Sequence, residues 1–146
     1  IKAKICYGKE LLESNPVKGC SYLQQAAENG NSYACYYLAN HYRKNGKWEL
    51  AFNYYKKSME KSKTFPHYSE CSFYTGFCYA NGLGVVANIN DALFYLNCVA
   101  YGDEKFAEAQ YLMGMSMGIP AEYAAIPLKK RIFFILPKIR ANKYDF

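Results

Sequence analysis

The stretch from residue 76 to residue 102 reads GFCYANGLGVVANINDALFYLNCVAYG, and it predicts two helices joined by a glycine loop. Gly82 and Gly84 interrupt a helical pattern, because glycine adopts the backbone angles of a turn at little cost. Small and aromatic residues return after Asn88 at helical spacing. The stretch therefore reads as a helical hairpin, and related spacings recur in the rest of the chain.

One recurring pattern marks the second helix of each predicted hairpin. A small residue stands at Gly19, Ala51 and Ala92, and mostly apolar residues follow it three, four, seven and eight positions later. These offsets lie on one face of an α-helix. Small residues on that face let two helices approach closely, and the aromatic rings between them fill the space between layers.

A second pattern marks the first helices. It pairs a small residue with a small or apolar residue four and five positions later, as in Ala34 with Leu38 and Ala39. The same arrangement begins at Cys71 and Ala109, so the period is about 31 to 38 residues, which is typical of stacked helix pairs. We therefore predict an all-α fold: a short right-handed α-solenoid of antiparallel helix pairs with a C-terminal capping helix.

The predicted organisation has two parts. Residues 1–118 hold the repeats, and residues 119–146 form a capping or docking segment, because Pro127 and the loss of the small-residue anchor break the pattern there. Within the first part the predicted members are about 3–13 and 15–30 as partial repeats, 32–62, 69–101, and 104–118 as a partial repeat.

The composition argues against disorder and allows several kinds of partner. Hydrophobic residues make up 51% of the chain and aromatic residues 18%, which is enough to build a core. The formal net charge of +6 is compatible with an acidic protein, an anionic membrane or a nucleic acid and requires none of them. No apolar run approaches the roughly 18 residues of a transmembrane helix.

Six cysteines stand at positions 6, 20, 35, 71, 78 and 98, and their spacing forms no metal-binding motif. No CxxC pair occurs and the chain has only two histidines, so zinc spacing is absent. The even count permits a disulfide framework, but we expect reduced, buried thiols that act as small hydrophobic residues. This predicts an intracellular protein, cytoplasmic or organellar, rather than a secreted one.

Two pairs of residues are candidates for chemistry. Cys71 and Cys78 lie two helical turns apart, but Cys71 occupies a position that is small in the other hairpins, so we expect core packing. His41 and His67 lie in no run of acidic residues or cysteines that would tune them, and we expect solvent-edge histidines. Because no nucleotide-binding, metalloprotease or serine-hydrolase motif occurs, we predict no enzymatic activity, no metal and no cofactor.

The glycine loop resembles that of Sel1-like repeats, relatives of the tetratricopeptide repeat whose loop carries a glycine-any-glycine-valine motif. Gly82, Gly84, Val85 and Ala92 stand at the matching distances, whereas Asn88 stands where that family usually has Asp. Residues 34–58 lack the glycine loop and look more like an ordinary tetratricopeptide repeat. The resemblance covers roughly residues 3–118 and implies a non-enzymatic scaffold that binds peptides or proteins.

A stripe on the first helices is the candidate binding surface. In stacked helix pairs this stripe lines the concave side, and in the resembled families it receives peptides. Aromatic residues with methionine there would make an adaptable groove, whereas the alternative is that they pack between repeats. The predicted partner-binding residues are Tyr33, Tyr36, Asn40, Arg43, Phe73, Phe77, Tyr111 and Met115.

The predicted function is that of a protein–protein interaction scaffold or adaptor, or of a subunit of a larger complex. The alternative is a helical-repeat protein that binds RNA through a basic face, because repeats of similar length read single-stranded RNA. Basic residues are concentrated near the C-terminal end, where we expect a solvated face and no contact with a membrane surface. They are Lys129, Lys130, Arg131, Lys138, Arg140 and Lys143.

Overall fold

The computed structural model describes residues 2–60, 63–99, 102–116 and 118, with the side chains of residues 2–4 left aside. Every regular element in these residues is an α-helix, so the all-α prediction is confirmed for them. The predicted capping segment 119–146 lies outside the described residues. The helices are α1 (Lys2–Ser14), α2 (Pro16–Glu28), α3 (Ser32–Lys44), α4 (Trp48–Met59), α5 (Tyr68–Asn81), α6 (Ile89–Asn97) and α7 (Phe106–Ser116).

Asparagines begin three of these helices. The side-chain oxygens of Asn15, Asn31 and Asn88 each accept a hydrogen bond from the backbone N–H three residues later, at 3.1 to 3.3 Å. Each bond satisfies one of the N–H groups that a helix leaves unpaired at its start. Asn88 therefore performs the capping role that an Asp would perform at this position.

Helices that are adjacent in sequence pack side by side, and α4 and α5 do so in opposite directions. Between α4 and α5, the ring of Phe52 meets that of Tyr79, while the Ser58 hydroxyl, further along α4, donates to the sulfur of Cys71, earlier on α5. The connections α1–α2, α2–α3 and α3–α4 each span three residues or fewer, a length that favours antiparallel neighbours.

α3 and α5, which alternate along the chain, run in the same direction. The Tyr36 hydroxyl near the start of α3 donates to Glu70 near the start of α5, and Arg43 further along α3 lies over the ring of Tyr74 further along α5. Contacts also join α1 to α3 and α5 to α7. The side chains at the starts of α3 and α5 are therefore brought onto one side of the molecule.

The core includes residues at the small and aromatic positions that the helical spacing predicts, and also Tyr36 and Phe73 of the predicted surface stripe. Glycine is required where helices come closest: a Cβ on Gly76 would lie 2.7 Å from the Cγ of Leu96, and one on Gly19 would lie 2.7 Å from the backbone nitrogen of Leu12. Both distances are shorter than an atomic contact allows. Fully buried residues of the predicted helix faces include Leu23, Ala34, Leu38, Ala39, Ala51, Tyr55, Cys71, Ala92, Leu96 and Ala109.

α6 is the shortest of the described helices, and it ends at Asn97, before the predicted core residue Val99. The backbone N–H groups of Cys98 and Val99 bond to carbonyls three residues earlier, which tightens the chain and ends α6. Val99 is nevertheless buried, so its predicted core position is correct although it lies outside the helix.

None of the described helices combines the length and the apolar character that crossing a bilayer requires.

Candidate partner-binding surface

The two aromatic residues at the centre of the predicted stripe are packed between helices. Tyr36 is 8% exposed and Phe73 is 5% exposed. The ring of Tyr36 stacks on His67 with centroids 4.1 Å apart, and its hydroxyl donates to Glu70 at 2.6 Å. Burial and this hydrogen bond raise the pKa of Tyr36 far above its ordinary value. Tyr36 therefore joins α3 to α5 as a neutral phenol.

Asn40 and Arg43 belong to a polar network around one buried tyrosine. The Tyr55 hydroxyl donates to the side-chain oxygen of Asn40 and accepts a hydrogen bond from the Nε of Arg43 at 3.0 Å. The Arg43 guanidinium also lies 4.2 Å from the centroid of the Tyr74 ring. These contacts hold both polar side chains between α3, α4 and α5.

The other phenylalanine of the stripe, Phe77, lies next to the tryptophan that begins α4. The ring centroids of Phe77 and Trp48 are 5.7 Å apart. Phe73 lies near a lysine instead, because the Lys105 ammonium is 5.5 Å from its centroid and 5.5 Å from that of Tyr74. Both phenylalanines therefore contribute to contacts between successive helix pairs.

Three members of the predicted stripe keep a large accessible surface. Tyr33, Tyr111 and Met115 are each 40% exposed. Tyr33 lies at the start of α3, whereas Tyr111 and Met115 lie on α7. The eight predicted residues therefore divide into five that are buried or half-buried and three that project from the surface. Their role in partner binding stays a prediction.

A groove of about 680 Å³ lies between α1 and α3, beside Tyr33. Its α3 side carries Tyr33 and Tyr37, and the Lys9 ammonium of α1 lies 4.8 Å from the centroid of the Tyr37 ring. The groove is open to solvent and is framed by two helices. It is lined by Ile5, Cys6, Lys9, Glu10, Glu13, Asn31, Tyr33 and Tyr37.

Sequence reasoning did not assign Tyr37 or the residues of α1 to the binding surface. Tyr37 stands four positions after Tyr33, and residues four apart share a helix face, so the spacing did contain a signal. The α1 residues had no such signal, because α1 matches the repeat pattern only at Gly8 and Leu11. Their contribution follows from the packing of α1 against α3.

An aromatic cluster supports the groove from the side of α5. Phe65, which precedes α5, is buried, and its ring centroid lies 4.9 Å from that of Tyr33 in a T-shaped contact. His67 completes the cluster through its stacking on Tyr36. His41 has different surroundings, beside Tyr42 and Asn45. The structure therefore places the two histidines in separate environments.

The thiols of α5 are core residues. Cys71 and Cys78 are both fully buried, and desolvation raises the pKa of each thiol to about 12. Cys6, which lines the groove, is exposed. In the part of the chain that the structure describes, no group of histidine, cysteine and acidic residues is arranged to hold a metal ion.

Comparisons of the chain with protein-family models, with curated proteins and with solved structures found no match. The resemblance to Sel1-like and tetratricopeptide repeats therefore stays a prediction. The basic residues from Lys129 to Lys143 lie outside the described residues. The observation that bears on function is therefore the surface formed by the first helix of each predicted pair, which includes the groove between α1 and α3.

Proposed function

We propose that this chain is an interaction scaffold or adaptor that binds a peptide or protein segment on the surface of its first helices. The observation that carries the proposal is the groove of about 680 Å³ between α1 and α3. Its volume falls within the roughly 300 to 1,000 Å³ of ordinary ligand sites. Two tyrosines on a helix provide rigid, amphipathic contact area, as aromatic residues do at protein interfaces.

We also propose the arrangement that presents this surface: a short right-handed α-solenoid of antiparallel helix pairs, similar to Sel1-like and tetratricopeptide repeats. The antiparallel packing of sequence neighbours and the shared direction of α3 and α5 support it. The close approach at Gly19 and Gly76 supports it further, because both glycines stand at small-residue positions of the predicted patterns.

The remaining parts of the proposal concern chemistry and compartment. The scaffold acts by binding alone, without a cofactor, and it works in an intracellular compartment with its cysteines reduced. The burial of Cys35, Cys71 and Cys78 in the core supports the last point, because thiols in such positions act as small hydrophobic residues.

The experiment is a selection of peptides from a displayed random library on the purified chain. Peptides that bind the groove should lose affinity when Tyr33 and Tyr37 are replaced by alanine together. The matched control is Phe94→Ala on α6, where a 64% exposed aromatic residue lies outside the groove lining. If the selected peptides depend on Phe94 and not on the tyrosines, the groove is not the binding site.

Tyr36 and Phe73 are unsuitable for this test, although both belong to the predicted stripe. Replacing either with alanine removes a buried ring, which costs about 3 to 5 kcal/mol of unfolding free energy for an aromatic core residue. Loss of binding in such a variant would not distinguish a damaged groove from a destabilised chain. Circular dichroism of the Tyr33 and Tyr37 variants should show unchanged helical content.

A further inference from the structure

We infer that the groove between α1 and α3 binds a basic partner segment, in which arginine or lysine side chains alternate with apolar ones. This inference rests on the proposed peptide-binding function and specifies the chemistry of the partner. Three features of the groove carry it: the carboxylates on its α1 wall, the aromatic rings on its α3 wall, and the lysine that already lies over one of those rings.

The carboxylates are Glu10 and Glu13 of α1. They stand three positions apart, so they project from neighbouring positions on one helix face, and both are exposed. The ion pair found among the described residues joins Lys105 to Glu108, so neither groove carboxylate is neutralised by a described cation. On a chain with a formal net charge of +6, the described lining of the groove thus has two carboxylates and one ammonium.

The aromatic wall suits cationic side chains. The Lys9 ammonium lies 4.8 Å from the centroid of the Tyr37 ring, a distance at which the negative face of an aromatic ring attracts a cation. Tyr33 lines the same groove and is accessible, and its T-shaped contact with Phe65 supports the ring from behind α3. An incoming guanidinium can stack on such a ring and bond to a carboxylate at the same time.

An acidic segment would fit the same groove less well. Among the lining residues that the structure describes, Lys9 provides the cation with which its carboxylates could pair, and that ammonium is already engaged with Tyr37. They would also approach Glu10 and Glu13, and like charges brought together at an interface weaken binding. The buried wall around Ile5 accommodates the apolar residues between the cations.

The test uses Cys6 as a reporter, because this exposed thiol lines the groove. Cys20 and Cys98, the partly exposed cysteines, are replaced by serine, so that Cys6 is the thiol that reacts with N-ethylmaleimide in the folded chain. Three synthetic peptides of equal length are compared: arginine alternating with leucine, glutamate alternating with leucine, and glutamine alternating with leucine. Fluorescence anisotropy measures the affinity of each, and mass spectrometry measures the alkylation of Cys6.

The arginine peptide should bind most tightly and slow the alkylation of Cys6. Replacing Glu10 and Glu13 together with glutamine should raise its Kd about 3- to 10-fold, the range expected for two exposed ion pairs. The matched control, Glu28→Gln with Glu60→Gln, removes the same charge from exposed sites outside the groove and should leave the Kd unchanged. Raising the salt from about 0.1 M to about 1 M should weaken binding, because the Debye length falls from about 10 Å to about 3 Å.

Other outcomes overturn the inference in distinguishable ways. If the glutamate or glutamine peptide protects Cys6 as well as the arginine peptide does, and Tyr33→Ala abolishes that protection, the charge assignment is wrong while peptide binding in the groove stands. If an oligouridine protects Cys6 and the peptides do not, the groove binds nucleic acid and both proposals fail. If peptides bind without protecting Cys6, the binding surface lies elsewhere.

Discussion

Replacing Gly84 with alanine should destabilise the chain more than the same change at Gly46, another loop glycine with a positive φ. Gly84 has a φ of +70°, and a Cβ added to it would lie 2.5 Å from the backbone nitrogen of Glu49 and 2.6 Å from the carbonyl carbon of Trp48. The glycine loop between α5 and α6 is therefore packed against the beginning of α4. Backbone atoms cannot rotate away as a flexible side chain could.

The magnitude has two parts. Placing alanine in the left-handed region costs about 1 to 2 kcal/mol. Forcing an extra carbon into a filled space adds about 1 to 3 kcal/mol, so the free energy of unfolding should fall by about 2 to 5 kcal/mol. Gly46 is the matched control, because its φ is +74° and nothing lies within 4 Å of its added Cβ. Gly46→Ala should cost only the first part.

The assay is urea unfolding of both variants, followed by circular dichroism and by tryptophan fluorescence. Trp48 is the only tryptophan of the chain and adjoins Gly84, so its emission reports on this contact. Gly84→Ala should shift the native emission spectrum, and Gly46→Ala should leave it closer to that of the original chain. Equal losses of unfolding free energy, within about 0.5 kcal/mol, would show that the loop does not pack against α4.

Three further predictions concern a cap, a buried phenol and the thiols. Asn88→Ala should lower the free energy of unfolding by about 1 kcal/mol because α6 loses its cap, whereas Asn88→Asp should retain stability. If urea titrations show the same loss of unfolding free energy for both variants, the capping role is excluded. Burial raises the pKa of Tyr55 above its ordinary 10.0, so stability that is present below pH 10 should fall as the pH rises further, by up to about 1.4 kcal/mol per pH unit. Tyr55→Phe should flatten this dependence in urea titrations, and an unchanged slope would contradict it. Iodoacetamide near neutral pH should alkylate the exposed Cys6 in the folded chain. It should modify Cys71 and Cys78 only on unfolding, because both thiols are buried and their pKa values are raised to about 12. Equal alkylation rates of the three cysteines by mass spectrometry would refute this.

The helices and their contact faces could be predicted because the signals for them are local. Asparagine caps, loop glycines and apolar residues at helical spacing each act within one or two turns of chain. Ala51 with Tyr55, and Ala92 with Leu96, are buried as the spacing requires. The end of α6 was less predictable: the predicted face runs on to Val99, but a tight last turn ends the helix at Asn97.

The binding surface was harder to predict because exposure depends on neighbours that are distant in sequence. Tyr33 and Tyr36 are three positions apart on one helix, yet Tyr33 is 40% exposed and Tyr36 is buried. Phe65 and His67 contact both rings, but Tyr36 also stacks face to face on His67 and donates a hydrogen bond to Glu70 of α5.

By itself, the sequence determined that the described part of the chain forms helices and which faces of α2 to α6 turn inward, because backbone sterics and the burial of apolar side chains act at short range. Only the tertiary structure decided which aromatic side chains remain accessible and that α1 and α3 enclose a groove. Those properties depend on how closely the helices approach and in which direction they run. Glycines such as Gly76 permit the close approach, but the packing of the whole chain decides which helix lies against each glycine.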